Sequence, residues 1–424
     1  MKTTKLAAVV ALLVGAGTMA SAQQDVKIGA ILETWYTQML DNNLRLDSTP
    51  AVAPYYANGA MNPAFKENTF YMRRTELYFN GKVGDQVTWG VIYDPNTSSN
   101  TAPAATNGLL DAWMAYAFNK QFSVKIGQFK MPMNFESTIG GGAKLLFYDR
   151  SMTARMWAEK RDRGALATYS VGDPHGLAAK INVGVGNGMG DSSATYKAND
   201  TNAQKDYSFS VLATYGTDHS FGGWYREGNT DVKDVGLVAG TFSGPTAPSA
   251  PQVIDNKDKT TNIGAYYVYD TAHWNGSVEV TTGLLGRRYP SVFVAGTAAG
   301  TAAGRQHLDQ KYQGYTLSGA YKMGRHWFTA RYDFLNFNQG NDWYTATNPY
   351  TTNTTTGVDT GNDYSPKYTE AIIGYNYLFT PAKYVDGKVK FDYIHRSKNF
   401  LAPRAGQTGE QGGDSMVMSV QIGF

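Results

Sequence analysis

A two-residue rhythm of apolar and polar side chains runs through this chain and excludes most folds. Val389, Phe391 and Tyr393 alternate with Lys388, Lys390 and Asp392. Phe328, Ala330, Tyr332 and Phe334 alternate with Thr329, Arg331 and Asp333, and Thr75, Leu77 and Phe79 with Arg74, Glu76 and Tyr78. Period two is strand patterning, with one face apolar and the other hydrophilic. At the C-terminus Met416, Met418, Val420, Ile422 and Phe424 share a face, opposite Ser415, Ser419, Gln421 and Gly423. In a soluble sandwich the charged face would meet bulk water. In a wide closed barrel it lines a wet lumen, and the apolar face meets lipid.

Outside the N-terminus no stretch has eighteen uncharged apolar residues, so a membrane-spanning helix is excluded. A closed antiparallel barrel satisfies its backbone without water, so strands of about ten residues cross lipid although no window is strongly hydrophobic. The 46 glycines and 29 tyrosines suit many short strands joined by turns. With no cysteine, disulfides, thiolate metal sites and covalent haem attachment are excluded. Residues 1–22 read as a cleaved signal peptide: Lys2 and Lys5, the short apolar run Leu6–Val14, then Ala20-Ser21-Ala22. Its removal takes two lysines and leaves residues 23–424 near neutral, so net charge names no partner and nothing points to nucleic acid.

The rhythm predicts sixteen strands, at 26–36, 70–82, 86–94, 109–118, 122–131, 163–171, 176–187, 206–216, 233–243, 260–270, 276–288, 310–322, 327–338, 366–379, 387–397 and 414–424. Their connections are alternately short and long, as in an outer-membrane barrel with periplasmic turns and extracellular loops. Both termini then lie on one side, so the count is even. Residues 217–232 read as a long periplasmic turn; taking Gly222–Glu227 as another strand would need a partner and give eighteen. Sixteen or eighteen strands leave an aqueous channel. Phe118, Phe122, Trp327 and Phe379, at strand ends, are expected in an interfacial girdle.

The segment Asp111–Arg163 carries the functional expectation. Its hairpin sets Ala112, Met114, Tyr116 and Phe118 on one face, turns at Asn119-Lys120, and resumes with Phe122, Val124 and Ile126. The third long loop follows, at about Met131–Asp162. Through Arg163 it holds Lys144, Arg150, Arg155, Lys160, Arg161 and Arg163 against Glu136, Asp149, Glu159 and Asp162, six cations to four anions. Lys125 and Lys130 precede it. Guanidinium forks and rings of basic side chains favour anions in a pore; the alternative is that the arginines pair with the loop's own carboxylates and pin it to the wall. Inward strand positions add ten bases (Lys27, Arg74, Lys82, Lys125, Lys180, Arg287, Arg331, Lys388, Lys390, Arg396) and seven acids (Glu33, Glu76, Asp111, Glu279, Asp333, Glu370, Asp392).

Four stretches, YMRRTELYFNGKVGD (Tyr71–Asp85), KIGQFKMPMNFE (Lys125–Glu136), FYDRS (Phe147–Ser151) and KRDRGALATYS (Lys160–Ser170), resemble the phosphate-selective porin O/P family of outer-membrane channels, most clearly over residues 70–190. The resemblance implies a homotrimeric channel for small anions, with the third loop bent into the pore. It also implies that Arg73 and Arg74 line the constriction beside the basic residues of that loop. C-terminal Phe424 resembles the signal read by the barrel-assembly machinery. Alternation alone puts Arg74 in the lumen and Arg73 outward near the external rim, unless a bulge turns it in. There Arg73 would meet outer-membrane lipid and lipopolysaccharide phosphates. Glu76, the next inward residue, opposes tight phosphate selectivity. Charge reversal at Arg150, Arg155 and Arg161 is expected to invert or abolish the anion preference.

Two rivals remain. His395 and Ser397, with Asn399 beyond, have a spacing similar to outer-membrane phospholipases, in which a lipid-facing pair attacks an ester. A barrel sheath around a partner such as a cytochrome is the other. His175, His219, His273, His307 and His326 lie mostly in turns or loops without metal-ligand spacing, and Gly140-Gly141-Gly142 reads as a flexible run. No metal or cofactor is expected.

Overall fold

The computed structural model describes residues 26–40, 68–95, 108–138, 142–155, 161–173, 175–188, 205–230, 258–289, 308–336, 339, 367–381, 383–397 and 413–423. The expected signal segment, Lys160, His307, Asn399 and Phe424 lie outside them, as does the side chain of Arg287. Sixteen strands form: β1 (Lys27–Met39), β2 (Thr69–Val83), β3 (Val87–Tyr93), β4 (Leu109–Ala117), β5 (Phe122–Lys130), β6 (Arg161–Gly172), β7 (Leu177–Gly186) and β8 (Asp206–Tyr215). They continue as β9 (His219–Thr230), β10 (Asp258–Asp270), β11 (Trp274–Tyr289), β12 (Leu308–Met323), β13 (His326–Asn336), β14 (Lys367–Leu378), β15 (Gly387–Arg396) and β16 (Gly413–Gly423). Each pairs antiparallel with its sequence neighbours, and β1 closes on β16 with Ile31 opposite Gly423 and Trp35 opposite Ser419. Closure leaves no edge, which lipid would not tolerate. No described helix is long and apolar enough to cross a membrane.

The alternation is realised as written. Phe328, Tyr332, Phe391, Tyr393, Met416 and Ile422 are exposed on the outside, while Arg331, Asp333, Lys390, Asp392, Ser419 and Gln421 point inward and are buried. The ninth strand differs from expectation. It is His219–Thr230, paired with β8 and β10 after the short turn Gly216–Asp218, so 217–232 is no long turn, and 233–243 lies outside the described residues. Gly222 and Gly223 hide its rhythm, because glycine marks neither face, and its inward member Trp224 is apolar. Trp224 donates to Asn262 Oδ1 at 2.5 Å, and Asn262 in turn donates to Tyr312 at 2.7 Å. Gly264 on β10 makes room for the indole: a Cβ there would lie 2.1 Å from its ring.

Trp327 also departs from expectation. It shares the inward parity of Thr329 and stacks on Tyr384, centroids 4.7 Å apart, so it belongs to the periplasmic mouth and not to the lipid girdle. Phe118, Trp274 and Phe379 do face lipid.

The lumen is not wet throughout. Inward Leu166, Trp224, Tyr266 and Val268 form an apolar cluster with Phe129, Met131 and Met133. On the opposite wall Glu33, Asp333, Glu370, Lys388 and Lys390 are 0% exposed, because the third loop covers them. Trp224→Ala is expected to cost about 3–5 kcal/mol through the cavity and the abandoned Asn262. Phe221→Ala, on the lipid face of the same strand, should cost less; heat-modifiable gel migration in a denaturant series ranks the two.

Candidate functional site

The third loop leaves β5 at Lys130 and crosses the bore in two arms. The first begins with Met131 and Met133 in the apolar cluster, then turns into α1 (Phe135–Thr138). Asn134 starts this turn by a reciprocal cap: Ser137 N donates to Asn134 Oδ1 at 2.7 Å and Asn134 N to Ser137 Oγ at 3.2 Å. Glu279, inward on β11, takes two further donors, Phe135 N at 2.9 Å and Asn134 Nδ2 at 3.2 Å. The carboxylate sits where a helix start offers unpaired N–H groups.

The second arm, Gly142–Arg155, lies against β13–β16, β1 and β2. Wall donors meet its carbonyls: Lys388 Nζ on Ala143 O at 2.5 Å, Gln421 Nε2 on the same oxygen at 3.2 Å, Asn376 Nδ2 on Leu146 O at 2.9 Å, and Lys390 Nζ on Phe147 O at 3.1 Å. Tyr384 donates to Leu145 O. Wall carboxylates meet its amides: Tyr148 N donates to Asp392 at 2.6 Å and Met152 N to Asp333 at 3.3 Å. Ser151 N donates to Glu136 at 2.6 Å, which ties the two arms together.

Charged side chains lock this arm. Arg73 reaches Asp149 at 3.0 Å and Arg74 reaches it at 3.4 Å; Arg74 also pairs with Glu33. Arg155 pairs with Glu370 at 2.9 Å, and Glu370 also receives Arg331 at 3.1 Å and Arg396 at 2.9 Å. Both twin arginines therefore enter the barrel. The register between β1 and β2 slips between Glu33 and Thr34, so Glu33 faces Arg74, Thr34 faces Met72, and Arg73 is the extra residue of a bulge. It lies 5.1 Å from the Trp35 ring centroid, inside the wall and not at the outer rim. Glu76 is engaged by Tyr78 and by Arg74 at 3.7 Å. Gly142 packs where a Cβ would lie 2.5 Å from Arg74 Nε, so this member of the glycine run gives close approach. Burial alone would raise the Asp149 carboxyl, but Arg73, Arg74, Arg155 and Arg150 hold it well below the usual carboxylate range.

The other expected residues scatter. Arg150 is buried in the second arm. Arg161 pairs with Asp111 at 2.5 Å. Arg163 shares the outward parity of Tyr169 at the extracellular end of β6 and donates to Gln128 at 3.2 Å. Lys130 is half-buried at the end of β5, and Lys144 is exposed. Lys125 lies 4.4 Å from the Trp113 centroid and 5.3 Å from that of Phe129. Asp149 is one of the four loop carboxylates that the sequence offered as partners for the arginines, and the arginines it meets include Arg73 and Arg74 of β2; Tyr148 and Trp35 also hold the loop but were not singled out from sequence. His395 bonds Asp414 at 2.6 Å, whereas Ser397 Oγ accepts from Thr369 N at 3.0 Å, so the supposed pair has separate partners. No group of three or more metal-ligating side chains occurs among the described residues.

No curated protein matches the sequence. Among solved structures, the outer-membrane channel DcaP of Acinetobacter baumannii is similar with TM-score 0.57 and 10% identity, over 95% of this chain and 97% of that one. The trimer form of OmpT of Vibrio cholerae gives 0.53 and 12%, over 95% and 99%. An anion-selective porin from Comamonas acidovorans gives 0.50 and 12%, over 95% and 100%. These likenesses are of fold. The phosphate-selective porin O and P family profile matches residues 57–421, nearly the whole barrel, which extends the resemblance far beyond residues 70–190. The chain belongs to that family: it is a β-barrel porin of the bacterial outer membrane, a diffusion channel narrowed by its third loop.

Proposed function

We propose that this porin passes small hydrophilic solutes with a preference for anions, and that lysines set the preference while arginines hold the constriction. One observation carries the reading. Arg73, Arg74, Arg155 and Arg161 are committed to carboxylates. Lys125, Lys144 and Lys180 are joined to no carboxylate among the described residues, and Lys144 and Lys180 are exposed. An anion passing the loop meets ammonium groups whose charge is not already neutralised. Phosphate is one such anion. The loop, fixed to both walls, leaves a narrow path for solutes and argues against a protein threaded through the bore. The family is one of channels, and the separate partners of His395 and Ser397 give an esterase no support.

A homotrimer completes the proposal. OmpT is described in a trimer form. Here β3 has 7 residues, short of the about 9–11 a strand needs to cross lipid, and β4 and β5 have 9 each, at the lower bound. Next to β5 the outward positions of β6 include Ala165 and Ala167, small enough for close approach of a second copy.

Four outcomes follow. In planar bilayers under a KCl gradient, the reversal potential of the wild type should indicate anion preference, and Lys125→Glu/Lys144→Glu/Lys180→Glu should move it toward cations; an unchanged potential removes the lysine assignment. Arg155→Ala should loosen the constriction without inverting selectivity, seen as larger, noisier conductance steps. Glu370 keeps two arginines, so the stability loss should sit at or below the lower end of the about 3–5 kcal/mol for a broken buried pair. The Asp149 clamp contributes stability that is full above the unfolded carboxyl value of about 3.9 and lost only as pH falls through its depressed folded value, so step size should hold from neutral pH to about pH 4. Finally, Ala165→Arg/Ala167→Arg should yield monomers by native mass spectrometry of detergent-extracted porin.

A further inference from the structure

Two periplasmic hairpins carry the same three-residue arrangement on the lipid side. His219 is the first residue of β9, lies opposite Tyr269, and bonds the hydroxyl of Tyr267 through Nδ1 at 2.8 Å. His326 is the first residue of β13, lies opposite Tyr377, and bonds the hydroxyl of Tyr375 through Nδ1 at 2.7 Å. In each case the imidazole also rests against the directly opposite tyrosine, with centroids 5.3 Å apart at His219–Tyr269 and 5.5 Å at His326–Tyr377. Both histidines have the outward parity of Phe221 and Phe328, which face lipid. An aromatic girdle needs rings at this height but does not need a histidine held by a hydroxyl.

Engaging Nδ1 fixes the ring and leaves Nε2 as the edge turned to the interface, where no described group meets it. A tyrosine hydroxyl donating to Nδ1 sets the tautomer with its proton on Nε2. With the tyrosine hydroxyl as donor, the Nε2–H, one residue from a tight turn and flanked by tyrosine rings, is a fixed donor at the depth of the headgroups. The acceptor abundant at that depth is the phosphodiester of a phospholipid, whose acyl chains would lie along the aromatic face below. We propose that His219 with Tyr267, and His326 with Tyr375, are two sites that each hold the phosphodiester of a periplasmic-leaflet phospholipid.

The surroundings grade the pair. Arg325, exposed beside His326 and fixed by its bond to Phe379 O at 2.6 Å, adds a cation there. His219 instead follows Asp218 and lies near Asp270, which Lys322 pairs with. The His326 site should bind the lipid more firmly.

The test uses the full barrel in detergent and native mass spectrometry, with phosphatidylglycerol as probe and monogalactosyldiacylglycerol as the phosphate-free control. Wild type should retain phosphatidylglycerol over the galactolipid, and excess inorganic phosphate should not displace it. His219→Phe/His326→Phe keeps the rings and should cut retained phosphatidylglycerol by about tenfold, the equivalent of one charge-assisted hydrogen bond, leaving the galactolipid unchanged. His326→Phe alone should cost more than His219→Phe. Tyr267→Phe/Tyr375→Phe leaves the histidines in place and should shift retention in the same direction. Wild-type retention by the double His→Phe protein, equal loss of both lipids, or displacement by inorganic phosphate would each overturn the proposal.

Discussion

A loop that enters a barrel carries its peptide groups away from water, and each must then find a partner on the wall. That accounting governs this porin. Between Ala143 and Phe147 the carbonyls are met by Lys388, Gln421, Tyr384, Asn376 and Lys390, while Asp392 and Asp333 accept from the amides of Tyr148 and Met152. The inner surface of β13–β16 is therefore written for the loop as much as for the lumen. An unpaired buried peptide group costs about 1–3 kcal/mol, so a loop left unmatched over this length would stay in the external solvent.

Charge follows the same logic. Asp149 is surrounded by guanidinium groups, and Glu370 by three arginines from the loop, β13 and β15. Buried ions repay their desolvation only when geometry is good and every lone pair is used. Arginine suits the task because its planar fork serves two acceptors at once, as Arg331 does with Asp149 O at 2.8 Å and Glu370 at 3.1 Å. Loops and wall are thus assembled together, and a fixed loop defines a fixed constriction.

Alternation made the barrel legible: fifteen strands stand close to where the rhythm puts them, because lipid on one face and polar groups on the other leave a signal in every second residue. The ninth escaped because Gly222 and Gly223 carry no such signal and Trp224 serves the inside with an apolar ring. Arg73 escaped for a different reason. A bulge changes parity by one residue, and nothing in Tyr71-Met72-Arg73-Arg74 marks where the extra residue falls. The inward charges on β13–β16 were legible as inward, but their burial was not. Burial depends on another segment, Gly142–Arg155, crossing over them, a relation between distant parts of the chain that periodicity does not contain.

The division proposed between arginine and lysine has a physical reason. A permeating ion must be attracted into the pore and also released, so the groups it meets should bind weakly and stay hydrated. A guanidinium buried against a carboxylate is strongly held and already neutralised, which suits a strut and not a relay. An ammonium on a flexible stem keeps water, moves with the ion and lets it go. Lys125, with its ammonium over the Trp113 and Phe129 rings, has its position set by aromatic contact, and it makes no ion pair among the described residues. A pore built this way can have a constriction whose width is set by one cation type and whose preference is set by the other, and the two properties can change independently.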